Sequence, residues 1–405
     1  MMYEHFDSVI NGITEKLNMD PEGINARKKY VLKLSELGKK LYTENEKIAW
    51  CGVTAPFDLL NSMGVTSCFI EFVGALLSAN QIASLFIEEA EDSGFAPDSC
   101  AYHRAVMGAV LKNAMPEPDF IIGTSSPCTA GLAVMENFAK QYKKDFFILN
   151  VPQNYTKEAV KYLSSQIEEM TSFVSAHTKE PLSMKKLGIA LDYFNKSSQI
   201  LKDIYDLAKT KPSPVDNNLL KDFGTVVSLL MGTQQGVDVC QNFKDELNQR
   251  IENNFHHNSQ EKIRLMWIQN RIQYPFPING MLDDLGAKIV VDELNNVCWE
   301  PMDPDNPFES IAKRMISNPF SMNSSERIKQ IQKRAKEYKV DGAINPCHWG
   351  CRQGTGIRGL ISKGLNDINI PVLNLEIDCV DSRNLAKGQI ETRIEAFMEM
   401  LSQQK

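Results

Sequence analysis

No stretch of about 18 apolar residues occurs in the 405-residue chain, so no membrane-spanning helix is expected. Basic runs are missing too, as is any interleaving of basic with aromatic residues. Acids outnumber bases, 51 to 44, giving a formal net charge of -7. That balance argues against nucleic acid and anionic membrane as main partners. A Walker GxxxxGK[ST] is lacking, so ATP should not bind through a phosphate loop of this chain. The N-terminal stretch MMYEHFDSVINGITEKLNMD has early acids and no apolar core of a secretory leader, which makes the cytoplasm the expected compartment. No low-complexity segment and no internal repeat in residue identity is present.

With 43% hydrophobic and 23% charged residues, the composition is that of an ordinary globular protein, and the length suggests two or three domains. Nine cysteines are an odd number for a disulfide framework, and in a reducing compartment they should stay free. A free cysteine is then either a small buried hydrophobe or a ligand or nucleophile. Cys68, Cys240 and Cys298 fit the first reading.

Strand and helix patterns alternate over residues 47–152. KIAWCG, VTSCFIEF, DFIIGT and DFFILNVP read as strands; PFDLLNSMGV, GALLSANQIASLFIEEAEDSG and TAGLAVMENFAKQY read as helices. Residues 155–260 carry long helical patterns instead. From 262 the alternation returns, with strands KIRLMWI, AKIVVDEL, VDGAINP and IPVLNLEID. The expected class is α/β: two parallel, doubly wound units joined by helices. The expected division is 1–160, carrying Cys100 and Cys128; a helical region, 161–260; and 261–405, carrying Cys351.

Cys100, Cys128 and Cys351 each precede a helix pattern, and Cys128 and Cys351 follow a strand and a short loop. Functional groups of doubly wound sheets collect at the carboxyl ends of strands. Helix N-termini stabilise thiolates and anionic clusters. The spacing matches neither a ferredoxin run nor a zinc CxxC pair, so by spacing alone structural cysteines are the simpler reading. Cys347 and Cys351 make a C-x3-C in which Cys347 or His348 could add a ligand, or Cys347 could simply end a strand. Glu376 and Asp378, after the last strand, are candidate bases or loop caps. His256–His257 reads as a solvated loop, and Tyr274–Pro277 as either a pocket wall or core.

Together these segments resemble the 2-hydroxyacyl-CoA dehydratase and benzoyl-CoA reductase family, over roughly residues 45–401. IAWCGVTAPFDLLNSMGV is similar to its entry strand and helix, with Asp58 where Glu is usual. GFAPDSCAYHRAVMG, PDFIIGTSSPCTAG and VDGAINPCHWGCRQGTG resemble its three cluster-cysteine motifs. NIPVLNLEIDCVDSRNLAKGQIETRIEAFMEML resembles its C-terminal signature, including Gln389, Thr392 and Arg393. The resemblance implies two Rossmann-like domains and a 4Fe–4S cluster held by Cys100, Cys128 and Cys351. It implies a related second subunit or a homodimer, an ATP-hydrolysing 4Fe–4S activator, and an acyl-CoA substrate. The implied reaction is anaerobic loss of water from an (R)-2-hydroxyacyl-CoA through a ketyl radical. Val53 stands where a hydroxyl residue is frequent, and His348-Trp349-Gly350-Cys351 stands where Asn-Arg-Ser-Cys is frequent. These departures leave room for a benzoyl-CoA-reductase-like enzyme, or for a reductase with a double-cubane 8Fe–9S cluster to which Cys51, Cys347 or Cys379 would add ligands.

Overall fold

The computed structural model describes residues 2–404 apart from 22, 24, 254–260 and 296–299. Two four-stranded parallel sheets organise them. Strands β1 (Lys47–Cys51), β2 (Val65–Phe69), β3 (Phe120–Thr124) and β4 (Phe146–Leu149) lie in the order β2-β1-β3-β4. Strands β5 (Ile263–Trp267), β6 (Ala287–Asp292), β7 (Gly342–His348) and β8 (Val372–Ile377) lie in the order β6-β5-β7-β8. The two orders are the same, so β5 answers to β1 and β7 to β3. The expected α/β class with parallel sheets and surrounding helices is what the chain adopts.

The strands are short apolar runs, and β3, β5, β6 and β7 are buried along their whole length. Such continuous burial suits a parallel sheet whose faces are both covered by helices. In each sheet the strand order reverses between the first and third strands. The loops leaving β1 and β3, and those leaving β5 and β7, therefore open onto a crevice where open α/β sheets bind ligands.

Between the sheets run helices Lys157–Thr178, Met184–Ala208 and Gln234–Glu252, with Leu219–Thr225 and a π-helical turn Val226–Leu230 among them. Thr156, Ser183 and Thr233 cap the three long helices by accepting a backbone N–H on the side-chain oxygen. Their apolar stripes bury Phe194, Tyr205, Phe223 and Phe243 in one core with Ala49 and Phe120 of the first sheet and Met266 and Val290 of the second. Among the described residues no helix is long and apolar enough to cross a membrane.

Local differences from the sequence reading have physical causes. VTSCFIEF ends as a strand at Phe69, and Ile70 opens a helix, because a short apolar run satisfies either periodicity. The long helix pattern after it is two helices, Ile70–Ala79 and Ala83–Asp92, separated where Gln81 adopts φ 61. Helix Pro307–Ile316, with Pro at its first turn, is an element the sequence reading does not assign. His256–His257 and Cys298 lie outside the described residues.

Candidate functional site

Cys128 leaves the carboxyl end of β3 and is the N-cap of helix Thr129–Tyr142; its sulfur accepts the Gly131 N–H at 3.3 Å. Cys351 leaves β7 and caps helix Arg352–Asn366 in the same way, accepting the Gly354 N–H at 3.3 Å. The two thiols thus occupy equivalent stations on two sheets of one plan. Cys100 is the N-cap of helix Ala101–Leu111, but it follows helix Ala83–Asp92 and a loop, not a strand. All three are partly exposed, whereas Cys51, Cys68, Cys240, Cys347 and Cys379 are buried.

The structure brings Cys100, Cys128 and Cys351 within electrostatic reach of one another. Burial pushes the Cys100 thiol up, and charge on Cys351 and then Cys128 adds to the effect. Burial also raises Cys351, opposed by the Gly354 amide and reinforced by Cys128. Close approach of the two halves depends on Gly350, which sits at φ +73. A Cβ there would lie 2.6 Å from the Cys100 nitrogen. Gly354, Gly356 and Gly359 have the spacing of a dinucleotide loop, yet they lie inside helix Arg352–Asn366, not in the strand-to-helix turn that such a loop requires.

Three thiolates gathered here repel one another, a metal group bound to all three relieves that repulsion, and the helix N-termini then favour the anionic cluster that results. Among the described residues no set of three His, Cys, Asp or Glu side chains is close enough to share one metal ion. Three cysteine sulfurs are the donor type that iron–sulfur clusters take.

Of the surrounding shell the sequence reading named His348 and Asp378, but not Arg104, Gln269, Glu71 or His103. His348, the last residue of β7, is 1% exposed, and its Nε2 lies 3.3 Å from the Cys100 sulfur. Burial pushes its imidazole down to about 3. Arg104 is buried and donates to the Ser99 carbonyl at 3.1 Å, to Asp378 at 3.4 Å, to Asp381 at 3.5 Å and to Glu91. It thereby ties the Cys100 loop to the loop after β8. Gln269, at the end of β5, donates to the Gly354 carbonyl at 3.1 Å and leaves its own Oε1 buried without a partner. Glu71 and His103 face each other at 3.5 Å, and a Cβ on Gly131 would touch both, at 3.3 and 3.4 Å. Glu71 Oε2 is buried and unpartnered. Contacts like these join residues tens to hundreds of positions apart, and no local pattern announces them.

The other expected residues fall as follows. Asp378 is buried, and its Oδ1 accepts the N–H groups of Val380 and Asp381 at 2.8 Å each, a loop cap; burial raises its carboxyl to about 6. Glu376 is exposed and paired with Arg358 at 2.5 Å. Cys347 points away from His348, as neighbours on a strand must; its thiol bonds the Asn345 carbonyl at 3.5 Å and lies near Arg358 and Glu376. Cys51 lies beside Cys68 and Glu71, while Cys379 is buried within reach of Cys351 and Cys100. Tyr274 packs in the core and donates to the Asp378 carbonyl at 3.0 Å.

The family model described as 2-hydroxyglutaryl-CoA dehydratase, D-component, matches residues 52–401. The chain is 23% identical over 376 residues to the (R)-phenyllactyl-CoA dehydratase alpha subunit of Clostridium sporogenes, covering 89% of this chain and 91% of the relative. It is 22% identical over 401 residues to the lactoyl-CoA dehydratase subunit alpha of Anaerotignum propionicum, covering 91% and 94%. A benzoyl-CoA reductase subunit of Thauera aromatica is 22% identical over 361 residues, covering 79% and 80%.

Proposed function

The chain belongs to the 2-hydroxyglutaryl-CoA dehydratase D-component family, and from that membership we propose that it is the iron–sulfur subunit of an (R)-2-hydroxyacyl-CoA dehydratase, a lyase. The observation that carries the reading is the gathering of Cys100, Cys128 and Cys351 at three helix N-termini, two of them at equivalent strand ends. These three residues would hold a 4Fe–4S cluster. When bound, that cluster would supply a single low-potential electron to the thioester, from which the 2-hydroxyl then leaves as water.

The chain's own residues do the rest. Gly131 and Gly354 amides stabilise two of the sulfurs. Arg104 fixes the Cys100 loop against the second sheet. A base must take the β-proton of the substrate, and among the acids the unpartnered Oε2 of Glu71, beside the helix that Cys128 caps, has the surroundings that favour that role. Asp378 and Glu376, the acids the sequence points to, are engaged with Arg104 and Arg358. The names of the dehydratase relatives as alpha subunits support a second, related subunit as partner. An ATP-hydrolysing activator completes the assembly, since this chain has no phosphate loop of its own.

The test is enoyl-CoA formed per ATP hydrolysed, under strict anaerobiosis, with activator and a panel of 2-hydroxyacyl-CoAs. Dehydration returns the electron, so the ratio should lie far above one. A fixed ATP demand per product would replace the dehydratase with a reductase like the benzoyl-CoA enzyme.

A further inference from the structure

His348 ends β7, where its backbone pairs in register with Ile377 of β8. The strand therefore presents its ring to the loop that follows β8. There the Cys379 backbone N–H donates to Nδ1 at 3.0 Å. A nitrogen that accepts a hydrogen bond carries no proton, so an imidazole whose Nδ1 accepts keeps its proton on Nε2. Asp378 Oδ1 lies 3.5 Å from the same Nδ1 but already accepts the N–H groups of Val380 and Asp381. The proton is thus on Nε2, and Nε2 faces the Cys100 sulfur at 3.3 Å. The ring cannot swing away: the edge of Tyr102 packs on it at 5.2 Å between centroids, and the Tyr102 hydroxyl is held by Gln273 at 2.9 Å.

Cys128 and Cys351 each receive a backbone N–H within the helix they cap, but Cys100 makes no such capping bond. The backbone amides of Tyr102 and His103 reach toward its sulfur and favour its charge. A side chain from the opposite half of the chain adds a donor that neither of the other two sulfurs is given by its cap.

We propose that His348 is a redox-positioning residue: its Nε2–H hydrogen-bonds the Cys100 sulfur and holds the cluster's reduction potential above the value it would have without that bond. This rests on the cluster reading given above. A donor to a ligand sulfur draws charge from it and so favours the more negative, reduced form, which raises the potential. It also separates His348 from a metal-ligand role, because a nitrogen that keeps its proton has no lone pair for iron.

The experiment uses the full chain, reconstituted anaerobically, with iron and sulfide quantitation and a potentiometric titration followed by electron paramagnetic resonance. H348L should keep the wild-type iron content and shift the midpoint potential negative. H348Q, which retains an N–H near the same place, should fall between H348L and the wild type. Unchanged potential in H348L at full iron content overturns the hydrogen bond and leaves the cluster reading standing. Loss of one ligand's worth of nitrogen hyperfine coupling in H348L would make His348 an iron ligand and also overturn it. An iron-free wild type would overturn the cluster reading and this proposal together. Should H348L not fold, the wild type decides: an exchangeable-proton coupling lost on transfer to deuterium oxide, and tied to labelled histidine nitrogen, supports the bond, and its absence refutes it.

Discussion

Arg314 donates from both terminal nitrogens to the Asp58 carboxylate, at 2.5 and 2.8 Å, across 256 residues of sequence. Its guanidinium also lies over the Phe194 ring at 4.6 Å, so one cation joins the helix after β1, the central helices and helix Pro307–Ile316. Asp58 is 1% exposed in its side chain and Arg314 12%. Removing one partner of such a pair leaves an uncompensated buried charge, which costs about 3–5 kcal/mol. Asp58→Ala should lower the thermal midpoint accordingly, and Asp58→Ala with Arg314→Leu should recover part of the loss. Equal midpoints for the single and double variants would mean that the pair is not a coupled unit.

The cysteines should separate by iron retention. Cys100→Ala, Cys128→Ala and Cys351→Ala are each expected to lose most of the iron of the anaerobically reconstituted protein. Cys347→Ala, whose thiol bonds Asn345 on the other face of β7, should retain it. Iron near eight atoms per chain, falling by half in Cys379→Ala, would point instead to the double cubane.

Gly350→Ala tests the seam between the two sheets. Alanine at φ +73 is strained by about 1–3 kcal/mol. Its Cβ would also press on the Ser99–Cys100 backbone at 2.6 Å. Both lower stability and lower iron content should follow. A destabilised protein with full iron would show that the Cys100–Cys351 approach tolerates displacement.

Lys221 gives the stability a pH dependence with a definite sign. Burial pushes its ammonium down to about 7 from 10.5. Arg271 and Arg27 push the same way, against Asp222 and Asp216. It donates to Asn279 at 2.5 Å and lies over the Trp267 ring at 4.7 Å. Between those two pH values the unfolded chain binds more protons than the folded one, so stability from this group rises with pH. Denaturant midpoints measured from pH 7 to pH 10 should climb, and Lys221→Met should flatten the climb. A wild-type curve as flat as that of the variant would contradict this.

Fold class was legible because strand and helix periods alternate cleanly on both sides of a helical middle, and parallel strands buried on both faces read as apolar runs. Cys128 and Cys351 were legible for the same reason, each following a strand and opening a helix. Cys100 was harder, since a helix precedes it and only the helix after it marks the place. Boundaries failed where an apolar run meets a helix start, as at Phe69 and Ile70, and where a single left-handed residue, Gln81, divides one helical pattern in two. The Arg104–Asp378 tie and the Glu71–His103 pair were beyond reach, because long-range side-chain contacts leave no periodic trace.

The matching strand orders have a consequence for the number of thiols. A four-strand unit set against its own copy would present like groups from both sides, and the count would be even. Here Cys128 and Cys351 are such a pair, but Cys100 caps the last helix before β3, and the residue capping the last helix before β7 is Asn323. The third thiol therefore comes from a station at which the second unit carries no cysteine.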